Sequence, residues 1–154
     1  VVQLIALGAK ALIRIGGTGV IREDIPCGTM VLNTAAVRMG GASCFYAPAE
    51  YPAVASFEVL DCLKRSCEEQ KKPYAMGICV SVGSFYHGQG RKLPFEGEYD
   101  EQAVLERYGT WNIVNMEMEA ETDQWLVDFE AAQKDMCRTA LLACKKLDQE
   151  YLTK

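Results

Sequence analysis

Three short stretches of this chain carry residues able to hold and polarise a small polar molecule. In "GSFYHGQGRK", residues 83–92, Phe85 offers a flat apolar face, and Gln89 and Arg91 stand two residues apart. A side-chain amide presents a donor edge and an acceptor edge, so Gln89 can pair with an imide N–H and its neighbouring carbonyl. The guanidinium of Arg91 can hold a second carbonyl oxygen, and together these describe the edge of uracil. Gly88 and Gly90 let the backbone turn tightly enough to present both side chains. A Gly-rich surface loop with incidental polar residues has the same composition, so residue chemistry alone leaves both readings open.

"RIGGTG", residues 14–19, places an Arg ahead of a Gly-rich turn. Backbone N–H groups in such a turn can approach an anion, and Arg14 adds a bidentate phosphate partner. The stretch is neither GxGxxG nor a P-loop, so nucleoside triphosphate binding is not indicated. A tight turn after a strand is the competing reading. In "NMEMEAE", residues 115–121, Glu117 and Glu119 alternate with Met116 and Met118. Carboxylates two apart share one side of an extended segment and can accept hydrogen bonds from a vicinal diol such as ribose. An acidic helix N-terminus would look the same. His87, the single histidine, has no carboxylate or nucleophile beside it in sequence and reads as a loop residue.

These stretches need elements to carry them. "VVQLIALGAK" reads as the tail of a helix with a buried face, and "ALIRIGGTG" as a short apolar strand entering a Gly-rich turn. "TMVLNTAAV" is a second strand, followed by an aromatic, Pro-containing loop over residues 41–55. Residues 55–72 read as an amphipathic helix with Ser56 as N-cap and Phe57, Leu60, Leu63 or Lys64, and Cys67 along one face. "YAMGICVSVGS" is a buried strand and "EYDEQAVLERYG" a short polar helix. "WNIVNMEMEAE" is a strand or turn entering a helix. Residues 128–152 form a long helix with Met136, Ala140, Ala143, Leu147 and Tyr151 as its apolar stripe. Strands alternating with helices imply a single three-layer α/β domain over residues 1–154.

The bulk composition narrows the functional classes. A chain of 154 residues with 16 basic and 21 acidic side chains, net charge −5, lacks the clustered cations of a nucleic-acid surface. Seven cysteines with no CxxC pair fit reduced thiols of a cytoplasmic protein better than a disulfide framework or zinc site. No apolar run reaches the length needed to span a bilayer, so no membrane partner is expected.

Taken together and in this order, "RIGGTG", "GASCFYAPAEYPAVASFE", "SFYHGQGR" and "NMEMEAE" resemble the nucleoside phosphorylase family, from about Leu4 to Glu121 and again in the C-terminal helix. The Gln-x-Arg of the third motif marks the members that cleave uridine. The resemblance implies a three-layer α/β/α fold with a mixed central sheet, and phosphorolysis of uridine or deoxyuridine to uracil and a pentose 1-phosphate. Inorganic phosphate would be the co-substrate, with no cofactor and no metal. Arg14 would bind phosphate, with Gly17 and Thr18 lining phosphate and sugar. Phe85 would pack near sugar and base, while Gln89 and Arg91 read and polarise the uracil edge. Met118 would lie under the ribose, Glu119 would accept from its hydroxyls, and Glu117 would stand close by. Family members form hexamers built from dimers, so a homo-oligomer is expected.

Two departures from the family pattern stand in the motifs: Gly17 replaces a Thr whose hydroxyl would touch phosphate, and His87 stands where Pro is common. The apolar, uncapped opening and the short step from Thr122 to Asp123 also read as a partial chain, without the family's N-terminal phosphate loop and one late central strand. The alternatives are an inactive remnant that binds a nucleobase or partner subunits, and a purine nucleoside phosphorylase or nucleosidase of the same fold.

Overall fold

A computed structural model describes residues 2–95, 97, 99–118, 140–147 and 149–150. A five-stranded sheet organises them. Its strands are β1 (Gly19–Val20), β2 (Met30–Met39), β3 (Ala53–Val54), β4 (Tyr74–Val82) and β5 (Ile113–Glu117), in the spatial order β1-β5-β4-β2-β3. The three central strands run parallel, and the two short edge strands are antiparallel to their neighbours. The α/β organisation implied by the alternating pattern, and the mixed sheet implied by the family resemblance, are the ones that form.

The helices α1 (Val2–Ala6), α2 (Phe57–Glu69) and α3 (Glu101–Thr110) accompany the sheet. Ser56 caps α2 by accepting from the Val59 N–H, and Asp100 caps α3 by accepting from Ala103. Each satisfies a donor that the first helical turn leaves orphaned. Val80, Val82, Ile113 and Met116 from the sheet enclose Tyr108 of α3 in one apolar cluster. A second cluster joins Cys62 of α2 to Ala143 and Leu147 of the helical segment 140–147, with Val59 and Leu63 packed against it. Arg65 of α2 bonds to Asp61 within the helix and, at 2.8 Å, to Glu150, which follows the 140–147 segment in sequence.

The structure corrects several local expectations. Residues 11–18 are not a strand; pairing begins only at Gly19, where β5 supplies a partner. Among the described side chains of helix α1 none is fully buried, Leu4 being half-buried, and Ile5 and, beyond the helix, Leu7 are largely exposed. The buried stripe of α2 is Cys62, Ser66 and Cys67 rather than a row starting at Phe57, which stands in solvent. Ser66 is tolerated there because its hydroxyl donates to the Cys62 carbonyl at 2.6 Å. Strand β4 is buried only in its second half, from Cys79 to Val82. The aromatic loop contains one 3₁₀ turn (Ala42–Phe45) and β3. Of the C-terminal helix, 140–147 is helical with Ala140, Ala143 and Leu147 buried; Met136 and Tyr151 lie outside the described residues.

Candidate functional site

The parallel sheet sets up the site. Strands β4 and β5 run side by side and end near Val82 and Glu117, so the segments leaving them emerge at one end of the sheet. Open α/β sheets place ligands outside the carboxyl ends of their strands. The "GSFYHGQGRK" stretch leaves β4 there, "NMEM" forms the last turnings of β5, and "RIGGTG" leads into β1 beside β5.

Distances confirm that the three stretches meet. Arg14 Nη1 lies 3.7 Å from Glu117 Oε2, with the Glu117 side chain 1% exposed and that of Arg14 44% exposed. Thr18 Oγ1 donates to the Met116 carbonyl at 2.7 Å and accepts from Asn115 Nδ2 at 2.8 Å. A Cβ placed on Gly19 would stand 3.3 Å from Met116 Cγ and 3.7 Å from Arg91 Nη2, so the loop passes close against both other motifs. Residues some hundred positions apart in sequence are thus brought to one place.

Within the β4 loop, Arg91 Nε donates to Gln89 Oε1 at 3.0 Å, and the guanidinium carbon sits 4.3 Å over the Phe85 ring centroid. The amide and guanidinium therefore form one preset pair, backed by a cation–π contact. Gln89 is 5% exposed, whereas Phe85 is half exposed, a polar edge beside an open aromatic face. The loop is fastened to α3, where the Tyr108 hydroxyl donates to the Gly88 carbonyl at 2.7 Å, and to the residues ahead of α3, where the Tyr99 hydroxyl donates to the His87 carbonyl. The His87 ring packs on Tyr99 at 4.3 Å between centroids, as befits a loop residue.

Gly17 is exposed, with no atom within 4 Å of where a Cβ would stand. Met118 packs against the cluster around Val80 and Tyr108. Glu119 lies outside the described residues.

Sequence reasoning passed over Asn115, Cys79 and Arg38. Asn115 is a polar residue inside the apolar run "IVNM", which was its one available signal. The Cys79 thiol approaches Glu117 Oε1 at 3.9 Å. Burial, then the nearby Glu117 charge, pushes that thiol up to about 12, so at neutral pH it is a protonated donor and a poor nucleophile.

Arg38, near the end of β2, donates to Ser43 Oγ and to the carbonyls of Ala47, Pro48 and Tyr51 at 2.6–2.9 Å. One guanidinium thereby holds the aromatic loop in shape. Arg38→Ala is expected to lower unfolding free energy by about 2–3 kcal/mol. Denaturant titration would read the loss, and limited proteolysis should show new cleavage within residues 43–51. A change under about 0.5 kcal/mol with an unaltered digest would contradict that role.

The fold and the convergent loops define a class. The family model of the phosphorylase superfamily matches residues 1–122, and the chain belongs to that family. It is similar to uridine phosphorylase of Haemophilus influenzae, at 39% identity over 123 residues, and of Thermococcus kodakarensis, at 39% over 122. Uridine phosphorylase of Escherichia coli K12 is 35% identical over 122 residues. Each alignment covers 78% of this chain but 48%, 44% and 48% of the respective relative, so the chain spans about half their length. Among the described residues, no helix is long and apolar enough to cross a membrane.

Proposed function

We propose that the protein carrying this chain phosphorolyses uridine to uracil and ribose 1-phosphate. The observation that carries the reading is the Gln89–Arg91 pair over Phe85, set within reach of the Gly-rich turn and the end of β5. The similarity to three uridine phosphorylases supports it.

In this reading a phosphate oxygen attacks the ribose anomeric carbon as the bond from that carbon to uracil N1 breaks. Uracil leaves as the anion and takes a proton from solvent. No covalent nucleophile is needed; the protein holds the partners in line and stabilises charge on the departing base. Arg14 supplies the cation for phosphate. Gln89 Oε1 keeps a lone pair for the imide N–H, while its Nε2 and the remaining guanidinium donors of Arg91 face carbonyl oxygens on which charge develops. Glu119 accepts from the ribose hydroxyls, with Glu117 close by and Met118 beneath the sugar. No cofactor enters the scheme. The cytoplasm as its place and a homo-oligomer, a hexamer of dimers, as its state complete the proposal. Phe45, Tyr46 and Tyr51, all strongly exposed, are aromatic surface suited to a subunit contact.

The deciding assay follows base release from uridine and inosine, each with and without phosphate. Uridine cleavage that requires phosphate is expected; cleavage of inosine, or cleavage in water alone, would overturn the assignment.

Gly17 offers a gain-of-function check. Its Cβ position is open, so Gly17→Thr should be accommodated without displacing a neighbour. The added hydroxyl is expected to lower the KM for phosphate about 10-fold, the worth of one hydrogen bond to a charged group. An unchanged or raised phosphate KM would remove the turn from the phosphate site.

A further inference from the structure

The hydroxyl of Thr18 has a restricted chemistry that its neighbours dictate. A threonine hydroxyl has one proton and two lone pairs. The Met116 carbonyl can only accept, so the 2.7 Å contact uses that single proton. Asn115 must then turn its amide nitrogen toward Thr18, because two oxygens at 2.8 Å with no proton between them would repel. The network thus assigns the amide orientation by itself. One lone pair of Thr18 Oγ1 is left over, on a residue that is solvent-exposed.

We propose that Asn115 is a positioning residue that fixes Thr18 as a pure hydrogen-bond acceptor toward the nucleoside. The partner it meets is a donor, a ribose hydroxyl or the imide N–H, and not an unprotonated phosphate oxygen. This rests on the reading that Thr18 lines the bound nucleoside. It also narrows that reading, since a turn expected to serve phosphate and sugar together is divided between them: Arg14 and the backbone at Gly16–Gly17 serve the anion, and Thr18 serves the nucleoside.

A second observation supports the assignment. Asn115 is 1% exposed, and its Oδ1 has no hydrogen-bond partner among the described residues. A buried acceptor left unpaired is unfavourable, and an apolar residue in this strand would avoid it. What the amide supplies in return is the bond to Thr18. That bond secures the point where "RIGGTG" joins β1, an edge strand of only two residues. Without it, the Met116 carbonyl alone would hold the hydroxyl in orientation, by the single bond at 2.7 Å.

The test is calorimetric titration of uridine and of inorganic phosphate, each alone, into wild type, Asn115→Ala, Thr18→Val, Thr18→Ser and the double variant Asn115→Ala/Thr18→Val, with thermal unfolding as the folding control. Asn115→Ala and Thr18→Val are each expected to weaken uridine about 5–10-fold, the range for one neutral hydrogen bond. Phosphate should bind no more weakly to either. Thr18→Ser should recover most of the Thr18→Val loss, and the double variant should lose no more than Thr18→Val alone, because the amide acts only through the hydroxyl. Losses confined to phosphate, or losses that simply add in the double variant, would overturn the proposal. Should Asn115→Ala fail to fold, Thr18→Val against Thr18→Ser still decides it, by whether uridine or phosphate is lost. Wild type that binds no uridine would instead sink the nucleoside reading, a result distinct from variants that bind uridine as wild type does.

Discussion

Arg91→Ala is expected to lower kcat for uridine cleavage by about 10²- to 10³-fold, the effect seen when a preset donor to developing negative charge is removed. Three features make the loss large. The guanidinium is held before substrate arrives, by the 3.0 Å bond from Nε to Gln89 Oε1 and by the Phe85 ring 4.3 Å beneath its carbon. Its Nη donors remain to face the base. Charge accumulates on the uracil carbonyls only as the glycosidic bond breaks, so the interaction strengthens in the transition state and weighs on kcat more than on KM. Removing Arg91 also releases Gln89, whose amide loses the contact that orients it. Arg91→Lys should therefore restore only part of the rate, since a point charge lacks the planar fork that engages both groups. Steady-state kinetics with uridine would check this. A kcat within about threefold of wild type would place the leaving-group contact elsewhere.

Gly90→Ala is expected to destabilise the fold by about 2–4 kcal/mol, from two independent penalties. Gly90 sits at φ 59° and ψ 36°, the left-handed region that an L side chain enters at a cost of about 1 kcal/mol or more. A Cβ there would stand 2.8 Å from Leu105 Cγ and 3.0 Å from the Glu101 carbonyl oxygen. Leu105 could turn aside, but the carbonyl belongs to the first turn of α3 and cannot. Relief would come by pushing the loop away from α3, and the residues on either side are Gln89 and Arg91. The variant should thus lose both stability and affinity for uracil. Thermal unfolding and uracil titration read the two effects. An unfolding midpoint within about 2 °C of wild type would show that the loop yields without strain.

Most elements were legible because they follow local rules. The apolar runs of β2 and β4, the cap Ser56, and the polar helix that became α3 are set by residues within a few positions of one another. The identities of Arg14, Phe85, Gln89 and Arg91, and hence the kind of ligand edge they suit, were likewise readable, because amide and guanidinium chemistry does not depend on the fold.

What the tertiary structure decided is everything set by a distant partner. Residues 11–18 carry strand-like apolar residues, yet a strand needs backbone partners, and β5 offers them only from Gly19 on, nearly a hundred positions away. The buried stripe of α2 runs through Cys62, Ser66 and Cys67, with Cys62 packed on the helical segment 140–147, a contact no periodicity within α2 could specify. Arg38 and Cys79 lie in no motif, Asn115 opens one in which its amide had no assigned task, and the roles of all three exist only as distances to Tyr51, Glu117 and Thr18. Sequence determined which groups are present and what they can donate or accept. Only the folded sheet, by ending β4 and β5 together and laying β1 against them, determined which of those valences are already used and which are left for a ligand.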